Sequence, residues 1–174
     1  NGMSYAARNG ENANSALLVE VRPEDLEGND IMAGVTLQRK IEQSAYSVEN
    51  GSVPYCFVGD LLSSPIKNAV TPTVKPKTVH TDIYDVLPSF VADSIKAGIV
   101  EFDKKIKGFA STGAVLTFPE TRSSSPIRIL RDENYNSVSL KGLYPTGEGA
   151  GYAGGIVSAA VDGMKVAEAI INNA

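Results

Sequence analysis

Lys141-Gly142-Leu143-Tyr144-Pro145-Thr146-Gly147-Glu148-Gly149-Ala150-Gly151-Tyr152-Ala153-Gly154-Gly155 is the stretch on which the reading of this 174-residue chain turns. It reads as a short strand, a glycine-dense turn holding one acidic residue, and the start of a long helix. Five of the nine residues 147–155 are glycine, so backbone there can pass close to a flat or anionic ligand without Cβ interference. The helix that follows offers unpaired N–H groups and the positive end of its dipole. A phosphate suits such a place, as does the edge of a redox ring that turns anionic on reduction.

Gly149-Ala150-Gly151-Tyr152-Ala153-Gly154 also matches G-x-G-x-x-G letter for letter. A dinucleotide fingerprint needs a second strand beyond the helix and an acidic residue about 20 positions on. The sequence ends at Ala174, on the helix itself, so no βαβ unit is completed. The match is therefore not a sufficient nucleotide site. Three readings stay open: a turn for tight helix–strand packing, a phosphate-binding module, or a cofactor-facing turn that needs more chain.

Outward from the turn, the helix expected from Gly155 to about Asn172 carries Val157, Val161, Met164, Ala167 and Ile171 on one face, kept slim by Ala159, Ala160 and Gly163. Asp162 and Glu168 flank Lys165 at helical spacing, which reads as surface pairing worth tenths of a kcal/mol. Upstream, Ala114–Phe118 and Pro126–Leu130 are β-type runs on either side of Glu120-Thr121-Arg122-Ser123-Ser124-Ser125. Arg122 offers a fork of donors to a carboxylate, a phosphate or a ring carbonyl; a plain surface turn is the alternative. Pro88–Lys107 is expected as a helix, because Val91, Ile95, Ile99, Phe102 and Ile106 step by 4, 4, 3 and 4. Pro88 suits its first turn, lysines 104, 105 and 107 its last, and Gly108 its stop.

Residues 63–81, with Pro65, Pro72 and Pro76, read as an extended connector that wraps along a surface or joins lobes. Leu37, Ile41, Ala45 and Val48 mark an amphipathic helix over 35–48, ended by Asn50-Gly51. Ser15–Arg22 reads as a strand closed by Pro23, preceded by a polar set (Arg8, Asn9, Glu11, Asn12, Asn14) that is either a solvated turn or a pocket rim.

Composition narrows the class. Apolar residues at 43% and charged residues at 21% describe a globular chain, and a net charge of −4 with no basic run argues against nucleic-acid binding. One cysteine, Cys56, rules out an internal disulfide framework, and one histidine, His80, leaves almost nothing for a metal site. Cys56 reads as a small buried hydrophobe and His80 as a loop residue. No apolar run reaches bilayer length and the polar start is no signal peptide, so a cytoplasmic setting is expected. The opening Asn1-Gly2-Met3-Ser4 reads like the middle of a strand-and-loop segment, so a fragment is expected too.

Gly142-Leu143-Tyr144-Pro145-Thr146-Gly147-Glu148, followed by Gly154-Gly155 and an alanine-rich helix with Gly163, resembles the closing segment of two-domain flavoproteins. It is most similar to bacterial uncharacterised FAD-dependent dehydrogenases, relatives of flavoproteins that reduce bile-acid intermediates. Residues 120–126, Asn1–Ser4 and Asn12–Ala16 share the likeness, while residues 23–110 match more loosely. The resemblance implies an α+β fragment of an α/β flavoprotein. Residues 1–109 would be an inserted substrate or cap lobe with strands and two or three helices, and 110–174 the strand-turn-helix end of a split FAD-binding domain. It implies that Thr121, Arg122, Ser123, Gly147, Glu148, Gly149, Gly151, Gly154, Gly155 and Ile156 face FAD. Glu148 would serve the ribityl chain and the N–H groups near Gly154, Gly155 and Ile156 the flavin N1–C2=O edge. Asn1, Met3 and Arg8 would border a small-molecule substrate. The family's first glycine fingerprint, which holds the ADP half of FAD, is not in this sequence. A missing N-terminal FAD-binding segment is thus the expected partner, and the chain alone is expected to be inactive and to hold FAD weakly.

Overall fold

A computed structural model describes residues 6–28 and 30–172, so Asn1 and Met3 lie outside the described residues. The fold is α+β: helices α1 (Ala33–Val48), α2 (Val58–Leu61), α3 (Ser89–Lys105) and α4 (Ile156–Asn172) accompany strands β1 (Val53–Phe57), β2 (Thr78–His80) and β3 (Val115–Thr117). The chain forms two compact units. One comprises the chain up to Arg22 together with Arg39–Pro119; the other is Pro23–Gln38 with Glu120–Ala174.

The first unit holds the sheet, in the order β2-β1-β3. β1 runs parallel to β2, with Val53 opposite Thr78 and Tyr55 opposite His80, and antiparallel to β3, with Phe57 opposite Val115. Alternate residues of β1 are buried, as the two-residue period of a strand demands. Cys56, Val58, Leu61, Ile83, Ala92 and Ile99 are almost wholly buried and form the core. Cys56 is thus the buried hydrophobe that its sequence context suggested, while His80 closes a strand.

α1 and α3 follow their apolar stripes, burying Ile41 and Ala45 in the first and Ile99 in the second. Both stripes fail toward their ends: Val48 in the first, and Phe102 and Ile106 in the second, are exposed. At the end of α3 the Asp103 carboxylate accepts the N–H groups of Gly108 (2.9 Å) and Ala110 (3.0 Å), which satisfies donors of the chain leaving the helix. The connector is fixed within the first unit. Lys67 N–H donates to Thr112 Oγ1 (3.1 Å) and Val70 N–H to the Gly113 carbonyl (2.9 Å). A Cβ on Gly113 would lie 2.2 Å from the Lys67 carbonyl oxygen, so the backbones can only meet there at a glycine.

Three segments that the sequence marks as strands run outside any ladder of the described residues. Residues 15–22 have mainly exposed side chains, with Leu17 and Val19 half-buried between exposed neighbours. In residues 126–130, Ile129 N–H goes to the Ala150 carbonyl (3.1 Å) and Arg128 Nε to the Gly151 carbonyl (3.0 Å). Residues 141–146 begin in a turn at Gly142 (φ +83°). The Leu143 carbonyl then accepts from Ser137 N–H (2.7 Å), and Pro145 has no N–H to give. The hydrogen-bonding groups of the second and third runs are therefore spent on loops. The second unit carries one isolated bridge, Arg131 to Ser137, among its described residues.

Among the described residues, no helix is long and apolar enough to cross a membrane, and no group of three His, Cys, Asp or Glu is placed to hold a metal ion.

Candidate functional site

The glycine turn of the second unit is held from behind by an ion pair that the local sequence does not reveal. Arg131 donates from Nη1 to Asp162 Oδ2 (2.9 Å) and from Nη2 to Asp162 Oδ1 (2.6 Å), a two-point fork. Nη1 also reaches the Pro145 carbonyl (2.7 Å), and Gly147 N–H donates to Asp162 Oδ2 (2.8 Å). The guanidinium lies 3.6 Å from the Tyr152 ring centroid and 4.6 Å from that of Tyr135. Only 10% of the Arg131 side chain and 12% of the Asp162 side chain are exposed. The bond from Arg131, helped by Gly147 N–H, outweighs burial and holds the Asp162 carboxyl below its ordinary range. The same bond raises Arg131. Asp162 therefore clamps the turn to α4, and Lys165 adds only a weaker attraction.

A second set of contacts ties the turn to residues 125–131. Ser125 Oγ donates to the Gly149 carbonyl (3.2 Å), while the Tyr152 hydroxyl gives to the Ile129 carbonyl (3.1 Å) and accepts from Arg131 N–H (3.1 Å). A Cβ on Gly151, whose φ is +83°, would sit 2.5 Å from the Ile127 carbonyl oxygen. That glycine exists for close packing. Inside the turn, Gly151 N–H donates to the Glu148 carbonyl and Tyr152 N–H to the Gly147 carbonyl.

The opposite side of the turn is open. A Cβ on Gly149 or Gly154 would meet nothing within 4 Å, and on Gly155 only Ser158 Oγ at 3.7 Å. A depression of about 270 Å³ lies beside Gly149, lined by Arg122, Ser124, Ser125, Pro126, Glu148 and Gln38 of α1. Gln38 Nε2 donates to the Thr121 carbonyl (2.9 Å), and buried Gly34, where a Cβ would come within 2.8 Å of Pro126 Cβ, lets α1 approach the loop.

Of the residues singled out from sequence, Arg122, Glu148 and Gly149 share this depression, and Thr121 borders it through Gln38. Ser123 is exposed in the same loop, but Ser124 and Ser125 supply the lining. Gly147 and Gly151 are taken up in the turn's own bonding and packing. Gly154, Gly155 and Ile156 open α4 outside the depression, with Ile156 91% exposed. Arg8 belongs to the other unit. Gln38, Arg131 and Asp162 escaped sequence reading. Gln38 lies 83 residues from Thr121 and Arg131 lies 31 from Asp162, and no helical or strand period spans such separations.

A family model described as "FAD-dependent protein, C-terminal domain-like" matches residues 1–123, taking in Thr121, Arg122 and Ser123 and stopping before the glycine turn. A protein of Clostridium beijerinckii, named only as uncharacterized, is 46% identical over 176 residues, which cover 98% of this chain and 33% of that protein. The chain thus spans about a third of the length of the curated relative it matches. With residues 1–123 of 174 inside the family model, the chain belongs to the family of FAD-dependent protein, C-terminal domain-like sequences.

Proposed function

We propose that this chain supplies the ring and ribityl side of the FAD site in a longer FAD-dependent oxidoreductase, together with its substrate lobe. One observation carries the reading. Two segments distant in sequence, residues 122–126 and 148–149, meet around a single open depression beside a glycine whose outer face is clear.

The residues present suit one edge of the cofactor. Arg122 is a donor for a ring carbonyl or for negative charge, and Glu148 is an acceptor for ribityl hydroxyls. The N–H groups of residues 156–158 precede the intrahelical bond from Ala159 N–H to the Gly155 carbonyl (2.9 Å). They give α4 a positive end that lowers the cost of negative charge nearby. When bound, FAD would supply hydride transfer at N5. The chain's part would be to orient the ring, bond its polar edge and favour its reduced form.

A depression of about 270 Å³ falls below the roughly 300–1,000 Å³ of ordinary small-ligand sites, far short of what a dinucleotide occupies. The isolated chain therefore binds FAD weakly and does not turn over, because its contacts do not offset the cost of ordering the cofactor. The rest of the holding belongs to an N-terminal FAD-binding segment of the longer protein. The reading also includes the division into a substrate lobe over 1–109 and a cofactor part over 110–174, and a small-molecule substrate bordered by Asn1, Met3 and Arg8. A cytoplasmic setting, no nucleic-acid partner and kinship with reductases of bile-acid intermediates complete it.

The test is the visible absorption spectrum of the longer protein, purified whole. A bound-flavin spectrum is expected; a well-folded, colourless protein that takes up no added FAD would refute the reading. Fluorescence titration of the 174-residue chain with FAD checks the second half, which tight binding would overturn. A structural role for the whole turn is the competing reading, favoured by the sealed side at Gly147 and Gly151.

A further inference from the structure

We infer that a second site, for a short aliphatic carboxylate, lies in the first unit at the carboxyl ends of the parallel strands β1 and β2. The inference does not rest on the flavin reading. β1 leads into α2 and β2 into a 3₁₀ turn at Ile83–Asp85, and the crevice beyond the carboxyl ends of parallel strands is where such sheets take ligands. A cavity of about 330 Å³ occupies that place. Cys56, Leu61 and Ile83, each at most 4% exposed, give it an apolar floor.

The polar wall decides the ligand. Asp60 Oδ2 already accepts Phe57 N–H (2.9 Å) and sits 2.8 Å from His80 Nε2. Burial raises the Asp60 carboxyl, but the bonds from His80 and Phe57 prevail and leave it below its ordinary value. Asp82 Oδ1 accepts Tyr84 N–H (3.0 Å), and Asp93 Oδ1 the Tyr84 hydroxyl (2.7 Å). Each of these carboxylates is thus engaged by a donor of the protein. Lys96 of α3 also lines the cavity, and among the described residues its ammonium makes no ion pair. With Asp60 on Nε2, the His80 ring keeps Nδ1 for a ligand. An ammonium over an apolar floor matches a carboxylate head on a short hydrocarbon tail. The Cys56 thiol, pushed up to about 12 by burial first and then by Asp60 and Asp82, stays neutral under that tail.

Asp60 from α2 and the rings of Tyr55 (5.3 Å) and Phe57 (5.9 Å) from β1 lie against the imidazole, and Asp82, Tyr84 and Lys96 line the same cavity.

His80 is the sole histidine, so the imidazole proton NMR signals of the full chain report on this cavity alone. Titration with sodium butyrate is expected to shift them saturably. Butylamine is expected to leave them in place. Lys96→Gln should weaken butyrate about fivefold, the upper range for a partly exposed ion pair, while Lys96→Arg retains it. The inference is overturned by non-saturating shifts, by saturation with butylamine in place of butyrate, or by undiminished affinity in Lys96→Gln.

Discussion

Replacing Asp162 by alanine should loosen the glycine turn before anything else in the chain. The substitution leaves Arg131 without its counter-charge and Gly147 N–H without its acceptor, although about nine-tenths of both side chains are out of water. Breaking a buried pair from one side costs roughly 3–5 kcal/mol; a pair with a tenth of its surface exposed belongs at the lower end, about 3 kcal/mol. For a chain of this size that is a fall in Tm of roughly 6–12 °C. Two compact units need not melt together, so the measurement should be local: hydrogen exchange at Gly147 and along α4, beside thermal denaturation followed by near-ultraviolet circular dichroism of the tyrosines. Both should loosen while β1 keeps its protection. The double variant Arg131→Met with Asp162→Leu should recover much of the loss, because the desolvation penalty leaves with the charges. Acid provides an independent check. The folded Asp162 carboxyl titrates below its unfolded value of about 4. Its contribution is therefore complete above that value and disappears as pH falls through the lower, folded one. Asp162→Asn should accordingly differ from the parent at pH 7 and converge with it in strong acid. A loss under 1 kcal/mol with Gly147 exchange unchanged would refute the reasoning.

Other substitutions test the packing and the turn. Gly113→Ala should cost about 3 kcal/mol, near the top of the overpacking range, because its Cβ meets two carbonyl oxygens of the connector; urea unfolding measures it, and a neutral result contradicts the packing. Cys56, 1% exposed and with its thiol raised to about 12, should resist a maleimide in the native chain and react once unfolded, read by mass spectrometry. Gly149→Ala and Gly151→Ala form a paired test in the longer protein. The first should keep its Tm and weaken FAD retention; the second should lower Tm by several degrees, since its φ of +83° and the Ile127 carbonyl both oppose a Cβ. Equal behaviour of the two would favour a purely structural turn.

The helices were legible because their stripes are periodic: α1 begins at Ala33 where Val35 was expected, and α3 at Ser89 directly after Pro88. β3 stood out as a compact β-type run. β1 did not, since Pro54 interrupts it, and β2 is three residues long behind a proline-rich stretch. The runs at 15–22, 126–130 and 141–146 have real β propensity, yet propensity names no partner, and pairing is what makes a strand. In the candidate site, Arg122 is legible as a fork of donors in a serine-rich loop, while a role for Glu148 toward a cofactor comes only through a resemblance. Gln38 and the Arg131–Asp162 clamp depend on long-range closure, which leaves no local trace. His80 reads as a plain loop residue in sequence because a lone imidazole acquires meaning only from its neighbour, Asp60, 20 residues earlier.

The stretch from Ser63 to Lys77, rich in proline and short of regular structure, looks like the natural place to splice in a tag or nick with a protease. Its anchoring makes it a poor one. Asn12 Nδ2 grips the Thr71 carbonyl (3.0 Å), Ser64 N–H the Gly59 carbonyl (2.8 Å), and Gly113 admits Lys67 and Asn68 at a spacing that tolerates no extra atom. An engineer wanting a permissive insertion point should choose Gly10, where a Cβ meets nothing, and should expect a protease at modest dose to leave the proline-rich stretch whole.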